Sequence, residues 1–312
     1  MKKISFSITV AVIVLGVVLL IYRPKILSKT DFVVDPREEK RLKSTQTEYI
    51  IDQASPTTEP TSISDATVKD PNPTGFTPYN KQTGLSIYQG HGSYLLIADL
   101  TKTGIELLHG TLTGKTIAGI FGGPDSFLKS TSLESYISKA DHQDLPVACA
   151  FNGSFFKMVD YPTHLAHPLK VNGNTITYGW ETDSIAHPGE KLMLQIWPGT
   201  ADIKPLTDKA SFEESDAPNI LTGLTVEANK EPKRVTGRTF VGIKNNYLLY
   251  VLVVENATQK NAADILRSLG VDKMMMLDGG TSSQLTCKIE GKIVPLIKSD
   301  RLIPQAVYIY SK

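Results

Sequence analysis

Between Lys3 and Arg23 the chain carries no charged residue, and Ile4–Tyr22 is almost wholly apolar. As a helix this run is roughly 28 Å long, close to the thickness of a bilayer core. It predicts a membrane-spanning helix within residues 1–25. A cleaved signal peptide has a shorter apolar region followed by a small-x-small site. Tyr22-Arg23-Pro24-Lys25 offers no such site, so an uncleaved signal anchor is favoured. Lys2 and Lys3 precede the run while Arg23, Lys25 and Lys29 follow it, so basic residues alone do not orient it. Asp35, Pro36 and Glu38 then suit the start of a short juxtamembrane helix. Ser55 to Pro78 is rich in Pro, Thr, Ser and Asp and has almost no large apolar residue. Such a stretch buries too little to order itself and reads as a stalk. The expected organisation is anchor (1–25), juxtamembrane segment and flexible stalk (26–80), and one globular domain (81–312).

In the globular part, apolar residues fall at strand and helix spacing by turns. Tyr94–Leu100 and Ile105–His109 read as strands around Lys102-Thr103-Gly104. Leu133–Ala140 reads as a helix capped by Ser130 or Thr131, and Pro146–Phe151 as a buried strand. Asn172-Gly173-Asn174 suits a hairpin turn, and Lys191–Trp197 a strand. Lys204–Pro232 is polar and reads as an irregular insertion. Phe240–Ile243 and Tyr247–Val254 are strands, followed by a helix from Gln259 to Leu269 and a strand over Lys273–Leu277. This strand–helix–strand unit predicts two parallel strands whose C-terminal ends, at Glu255 and Asp278, share one edge of a sheet. A helix and strand ending in Asn152-Gly153 echo the helix and strand ending in Asp278-Gly279, as two halves facing one site would. The expected fold class is α+β, a mixed sheet with few helices.

Charge narrows the functional classes. With 33 basic and 32 acidic residues and no basic block in the domain, nucleic acid is not an expected partner. The two cysteines, Cys149 and Cys287, form no metal-type cluster; buried thiols are the favoured reading over a single bridge. His164, His167 and His187 lack the acid-helix context of a zinc site, and no cofactor is expected.

Three short stretches could carry chemistry. In Phe151-Asn152-Gly153-Ser154 the turn exposes amides, and Asn152 with Gly153 could hold a sugar or phosphate. In Leu277-Asp278-Gly279-Gly280-Thr281-Ser282-Ser283 an acid precedes two glycines and three hydroxyls. That pattern suits proton transfer beside an anion-binding nest. Arg238, in Gly237-Arg238-Thr239, and Arg301 have the planar fork that grips phosphate.

Taken in order, Asn152-Gly153-Ser154-Phe155-Phe156, Gly237-Arg238-Thr239-Phe240-Val241-Gly242, Leu277-Asp278-Gly279-Gly280-Thr281-Ser282-Ser283 and Ile303-Pro304-Gln305-Ala306 resemble the sequence markers of the phosphodiester glycosidase family. The resemblance spans about Gly84 to Lys312. Ser154 and Thr281 replace family glycines, Gly237 stands where proline or alanine is usual, and Glu255 where many members have aspartate. The resemblance implies hydrolysis of a sugar-1-phosphodiester in exopolysaccharide or cell-envelope glycan, on the outer side of the membrane. It implies Asp278 and Glu255 as catalytic carboxylates. Arg238 and Arg301 would bind phosphate, Asn152 and Ser282 would position the substrate, and Gly153, Thr239, Gly279 and Gly280 would complete its binding site. The competing readings are a non-catalytic polysaccharide-binding module on a stalk and a structural adhesin.

Overall fold

The computed structural model describes residues 73–90, 92–116, 125–140, 145, 147–157, 161–180 and 187–312. They belong to one unit, Val68–Lys312. The expected anchor helix and most of the stalk lie outside the described residues. Among the described residues no helix is long and apolar enough to cross a membrane.

Strands dominate. In chain order they are β1 (Thr77–Gln82), β2 (Leu85–Gly90), β3 (Ser93–Asp99), β4 (Thr103–His109), β5 (Leu112–Thr116) and β6 (Asp125–Leu128). Helix α1 (Leu133–Lys139) leads into β7 (Val147–Asn152), β8 (Thr163–His164), β9 (Leu169–Val171), β10 (Asn174–Thr177), β11 (Lys191–Trp197) and β12 (Thr200–Pro205). After α2 (Lys209–Glu213) come β13 (Asn219–Leu224), β14 (Thr236–Lys244) and β15 (Leu248–Ala257). Helix α3 (Gln259–Ser268), β16 (Lys273–Met276), β17 (Leu285–Ile289), β18 (Lys292–Ile297) and β19 (Gln305–Ser311) complete the chain. Because β1 pairs with β2, the folded part includes Thr77–Asn80, the end of the segment read as stalk.

The larger sheet has the order β1-β2-β3-β15-β14-β16-β13-β11-β12, with β9 and β10 attached at β13. A second sheet runs β18-β17-β7-β19-β4, and β5, β6 and β8 form a small third one. Neighbouring strands pair antiparallel, so the sheets are not mixed in the ladder sense that was expected. The strand–helix–strand unit nonetheless has its predicted sense. Both β15 and β16 run antiparallel to β14, which lies between them, and are therefore parallel to each other.

Side-chain alternation makes four layers. One face of the large sheet, with Leu96, Val241, Val251 and Met275, packs on the second sheet through Val147, Phe151, Leu285 and Val307. The other face, with Phe240, Leu252 and Met276, is covered by Ala262, Ala263 and Leu266 of α3. Leu133, Tyr136 and Ile137 of α1 cover the outer face of the second sheet. Both faces of β14 and β15 are thus covered, which explains their nearly unbroken apolar runs. Helix α1 is capped by Ser132, whose side chain accepts from the Ser135 amide, one or two residues beyond the expected caps.

Cys149 and Cys287 face each other in the β7–β17 ladder and are joined as a disulfide, correcting the expectation of free thiols. The bridge closes a separation of 138 residues. Replacing both cysteines by alanine should therefore cost about 2–4 kcal/mol, read as a lower urea midpoint. Two titratable thiols in native, oxidatively purified protein would refute the bridge.

Candidate active site

The two Asx-Gly turns meet. The β7 and β16 strands end side by side, and the Asp278 amide donates to the Gly153 carbonyl at 3.0 Å. Buried Asn152 closes the junction: its Nδ2 donates to the Asp278 carbonyl at 2.7 Å. Its Oδ1 accepts from Thr239 Oγ1 at 2.8 Å and from the Gln284 amide at 3.1 Å. The echo between the two halves is therefore a physical contact. Oδ1 and one Nδ2 hydrogen are engaged with protein, which places the buried Asn152 to position Asp278. Thr239 is buried in the same network.

Close packing explains the glycines. A Cβ on Gly153 would stand 1.7 Å from Gln305 Oε1, the atom that accepts from the Ser154 amide. Gly280 has φ 63°, a backbone state that favours glycine, and opens the short turn Gly280–Ser282.

Asp278 lies at the floor of a cleft of about 310 Å³. Phe155, Phe156 and His167 form one wall, Trp180 and His187 another, and the 230–234 loop a third. The Gly279 amide donates to Asp278 Oδ1 at 2.9 Å. Oδ2 is buried, as is the neighbouring Ser282 hydroxyl, and neither closes a hydrogen bond of normal geometry. Burial pushes the carboxyl up to about 6, against the opposing pull of Ser282, the Gly279 amide, Lys230 and Arg301. The last two bring positive charge to Asp278; Arg234, paired with Glu231, and Arg238 also line the cleft. Lys230 Nζ lies 5.5 Å from the Phe155 ring centroid, and the Arg301 guanidinium 5.5 Å from that of Phe156. Each cation is thus seated on a cleft-wall aromatic with its charge near Asp278. His167 is buried and pushed down to about 3, chiefly by burial and then by Lys191, Lys230 and His187, so it is neutral at physiological pH. Among the described residues no group of three His, Cys, Asp or Glu side chains is arranged to hold a metal ion.

One expectation is corrected and one is narrowed. Glu255 does not line the cleft. Val253 packs between the two sheets whereas Val254 faces α3, and alternation puts Glu255 on the side of Val253, exposed beside Tyr94. Met276 faces the α3 side, and Asp278, two residues on, keeps that side. The parallel strands do end at one edge, but the two carboxylates leave it from opposite faces. Arg238 lines the cleft, but most of its donors are engaged with protein. Its fork donates chiefly to backbone carbonyls: Nη2 to Glu231 and Arg234 at 2.7 and 2.9 Å, and Nη1 to Lys230 at 3.3 Å. It fastens the loop that presents Lys230. Of the predicted residues Arg238, Asp278, Gly279 and Gly280 line the cleft, Ser282 and Arg301 act on Asp278 from beside it, and Asn152, Gly153 and Thr239 lie behind. Lys230, Trp180 and the cleft side of Phe155 and Phe156 were not singled out from the sequence. Lys230 sat in a segment read as an insertion, and only the phenylalanine pair lay inside a recognisable stretch.

A family model described as phosphodiester glycosidase matches residues 147–310. No curated protein sequence matches the chain. Among solved structures, the catalytic domain of zebrafish N-acetylglucosamine-1-phosphodiester alpha-N-acetylglucosaminidase, auto-inhibited by its pro-peptide, is similar at 14% identity and TM-score 0.49. The match covers 76% of this chain and 82% of that one. A Synechocystis protein is similar at 12% identity and TM-score 0.41, over 76% of this chain and 61% of its own. A Burkholderia pseudomallei protein is similar at 10% identity and TM-score 0.44, over 72% and 74%. The matched region holds the Asn152–Asp278 junction, the Arg238 loop anchor and the Arg301 segment, and the chain belongs to the phosphodiester glycosidase family.

Proposed function

We propose that the protein is a hydrolase that cleaves the bond between a sugar C1 and a phosphodiester oxygen, in exopolysaccharide or cell-envelope glycan outside the membrane. The observation that carries this reading is the Asp278 carboxyl, with a buried oxygen that closes no hydrogen bond of normal geometry, beside Lys230 and Arg301, each seated on an aromatic wall. The departing phosphomonoester is a good leaving group, so the reaction needs anion binding more than a strong acid. In the proposed step Asp278, as carboxylate, takes a proton from water as the water oxygen attacks C1. The C1–O bond breaks and its electron pair departs on the phosphate oxygen, which Lys230 and Arg301 stabilise. The products are the free sugar and a phosphomonoester. Phe155, Phe156 and Trp180 offer apolar faces for sugar rings. An external location is supported by the Cys149–Cys287 bridge, since such bonds persist in oxidising compartments. An apolar N-terminal run suited to anchoring supports attachment to the membrane.

The test is to incubate the full chain with a panel of sugar-1-phosphodiesters and assay for free sugar. Glycan binding without release of sugar from any of them would favour the binding-module reading instead. The pH profile tests the role of Asp278. A base with a pKa of about 6 is ionised above that value, so kcat/KM should be flat at pH 7–8 and fall about tenfold per unit well below pH 6. A profile that instead falls as pH rises through 6 would make Asp278 the acid and overturn the proposed step.

A further inference from the structure

We propose that Gln284 is a positioning residue of the site: its side-chain amide clips the Arg301 segment to the Gly280–Ser282 turn and so holds both beside Asp278. This rests on the hydrolase reading and names a further residue on which the reaction depends. Gln284 is only 3% exposed. Its Nε2 donates to the Arg301 carbonyl at 3.0 Å and to the Ser282 carbonyl at 3.3 Å. Its backbone amide donates to Asn152 Oδ1 at 3.1 Å. One buried residue thus bonds to three of the segments that meet around Asp278. Both side-chain partners are carbonyl oxygens, so the position demands one nitrogen that carries at least two hydrogens. Glutamate and methionine lack it, and lysine would bring a buried charge.

Arg301 depends on such a clip. Strand β18 ends at Ile297 and β19 begins at Gln305, so residues 298–302 lie between strands. Ile303 bridges Thr131 and fixes only the far side of the segment. Side chains hold the near side. Ser299 Oγ donates to the Thr281 carbonyl and accepts from the Arg301 amide at 3.0 Å. Gln284 takes the Arg301 carbonyl. Both backbone groups of Arg301 are therefore tied to the stretch that follows Asp278. Gln284 itself has a firm mount. The next residue, Leu285, pairs with Phe151, and the Cys149–Cys287 bridge joins the same two strands. The effect reaches Asp278 through two groups, since Ser282 and Arg301 both pull its carboxyl down against burial. In the proposed step Arg301 also stabilises the charge that gathers on the departing phosphate. The charged and titratable groups that face Asp278 are Lys230, Glu231 and Arg234 of one loop, Arg238 of β14, Arg301, and the cleft histidines His167 and His187. Of these, Gln284 bonds to Arg301.

The test uses the full-length protein with Gln284→Met, which keeps the length of the side chain and the backbone bond to Asn152 but donates nothing. With the seat of Arg301 loosened, kcat/KM at pH 8 should fall about tenfold on the sugar-1-phosphodiester that the panel selects. The acid limb of the pH profile should move from about pH 6 to about pH 7, because the groups that pull Asp278 down no longer keep their places. At pH 6 that adds a further loss of about fivefold. A residue that merely packs would lower stability and leave the limb in place. An unmoved limb overturns the proposal. So does a limb moved to lower pH, which would mean that loosened packing lets water onto the carboxyl. Gln284→Asn puts no apolar group against the two carbonyls but falls one methylene short of them. It should move the limb in the same direction, and it decides the matter if Gln284→Met does not fold. Nuclear magnetic resonance of isotope-labelled aspartate gives a readout free of turnover, the Asp278 carboxyl being identified by its loss in Asp278→Asn. Its midpoint should be about 6 in the wild type and higher in Gln284→Met. A raised midpoint with no sugar released from any panel member would sink the hydrolase reading and leave Gln284 in its positioning role. A midpoint that stays in place in an active enzyme would sink the inference alone.

Discussion

Replacing Asp278 by asparagine is expected to abolish turnover and, at pH 7.5, to make the protein harder to unfold. Removing a positioned base costs about 10²- to 10⁴-fold in rate. The stability effect has the opposite sign because this carboxyl is held against its preference. In the open chain it would give up its proton near 3.8; in the folded protein it keeps it until about 6. Below 3.8 both states hold the proton and the group costs nothing. Between about 3.8 and 6 the open chain ionises while the folded state still holds its proton, so stability falls across that window and levels off above it. The resulting loss is at most about 3 kcal/mol at neutral pH. Asparagine is uncharged at every pH and can still accept from the Gly279 amide through Oδ1, so the variant escapes that loss. Urea unfolding at pH 7.5 should show a gain of up to about 3 kcal/mol, shrinking towards zero by pH 4. A variant no more stable than wild type at pH 7.5 would mean that the carboxylate is well solvated. The case for Asp278 as the tuned base would then lose its physical footing.

How far the sequence carried the fold can be judged element by element. The strand–helix–strand unit was legible because its signals are local: Thr258 caps α3, the stripe Ala262, Ile265, Leu266 and Leu269 faces the sheet, and β15 and β16 are short apolar runs. Strand β13 was not. Its Asn219-Ile220-Leu221-Thr222-Gly223-Leu224 is polar at two positions and holds a glycine, yet it is buried between β11 and β16. Gly223 is there because a Cβ would stand 2.4 Å from the Met276 carbonyl, a requirement set by a strand some fifty residues away. The same limit applies to the site. Asx-Gly turns and an Asp before two glycines can be read locally, so Asn152 and Asp278 were found. Which face a side chain leaves a strand from depends on where pairing ends, and so Glu255 was placed at the right edge but on the wrong face. Arg238 shows a further limit. Nothing in Gly237-Arg238-Thr239 reveals that the carbonyls of Lys230, Glu231 and Arg234 will claim its fork, because those partners belong to the loop that folds over it. Lys230, the cation that results, has no sequence signature of its own.

The largest loss of stability is expected from Asn152→Ala. Asn152 is only 1% exposed, and its side chain satisfies three buried groups drawn from three segments: the Asp278 carbonyl, the Thr239 hydroxyl and the Gln284 amide. Alanine removes all three bonds; Thr239 keeps Ser283 Oγ at 3.2 Å, but the Asp278 carbonyl and the Gln284 amide lose their Asn152 partner. At about 1–3 kcal/mol for each of the two groups left unsatisfied, the expected cost is about 2–6 kcal/mol, a large part of the stability of a typical domain. Asn152→Asp is nearly the same shape and separates packing from hydrogen bonding. It keeps the acceptor for Thr239 and Gln284 but sets an oxygen where Nδ2 donates to the Asp278 carbonyl. It should therefore fail at the Asp278 contact alone, with a smaller loss of stability than alanine and an equally large loss of turnover. The two readouts are the urea midpoint and the rate on the sugar-1-phosphodiester that the panel selects. Asn152→Asp with full activity would show that the bond to the Asp278 carbonyl does not position the base, and the two turns would then be neighbours in the fold without acting together in the chemistry.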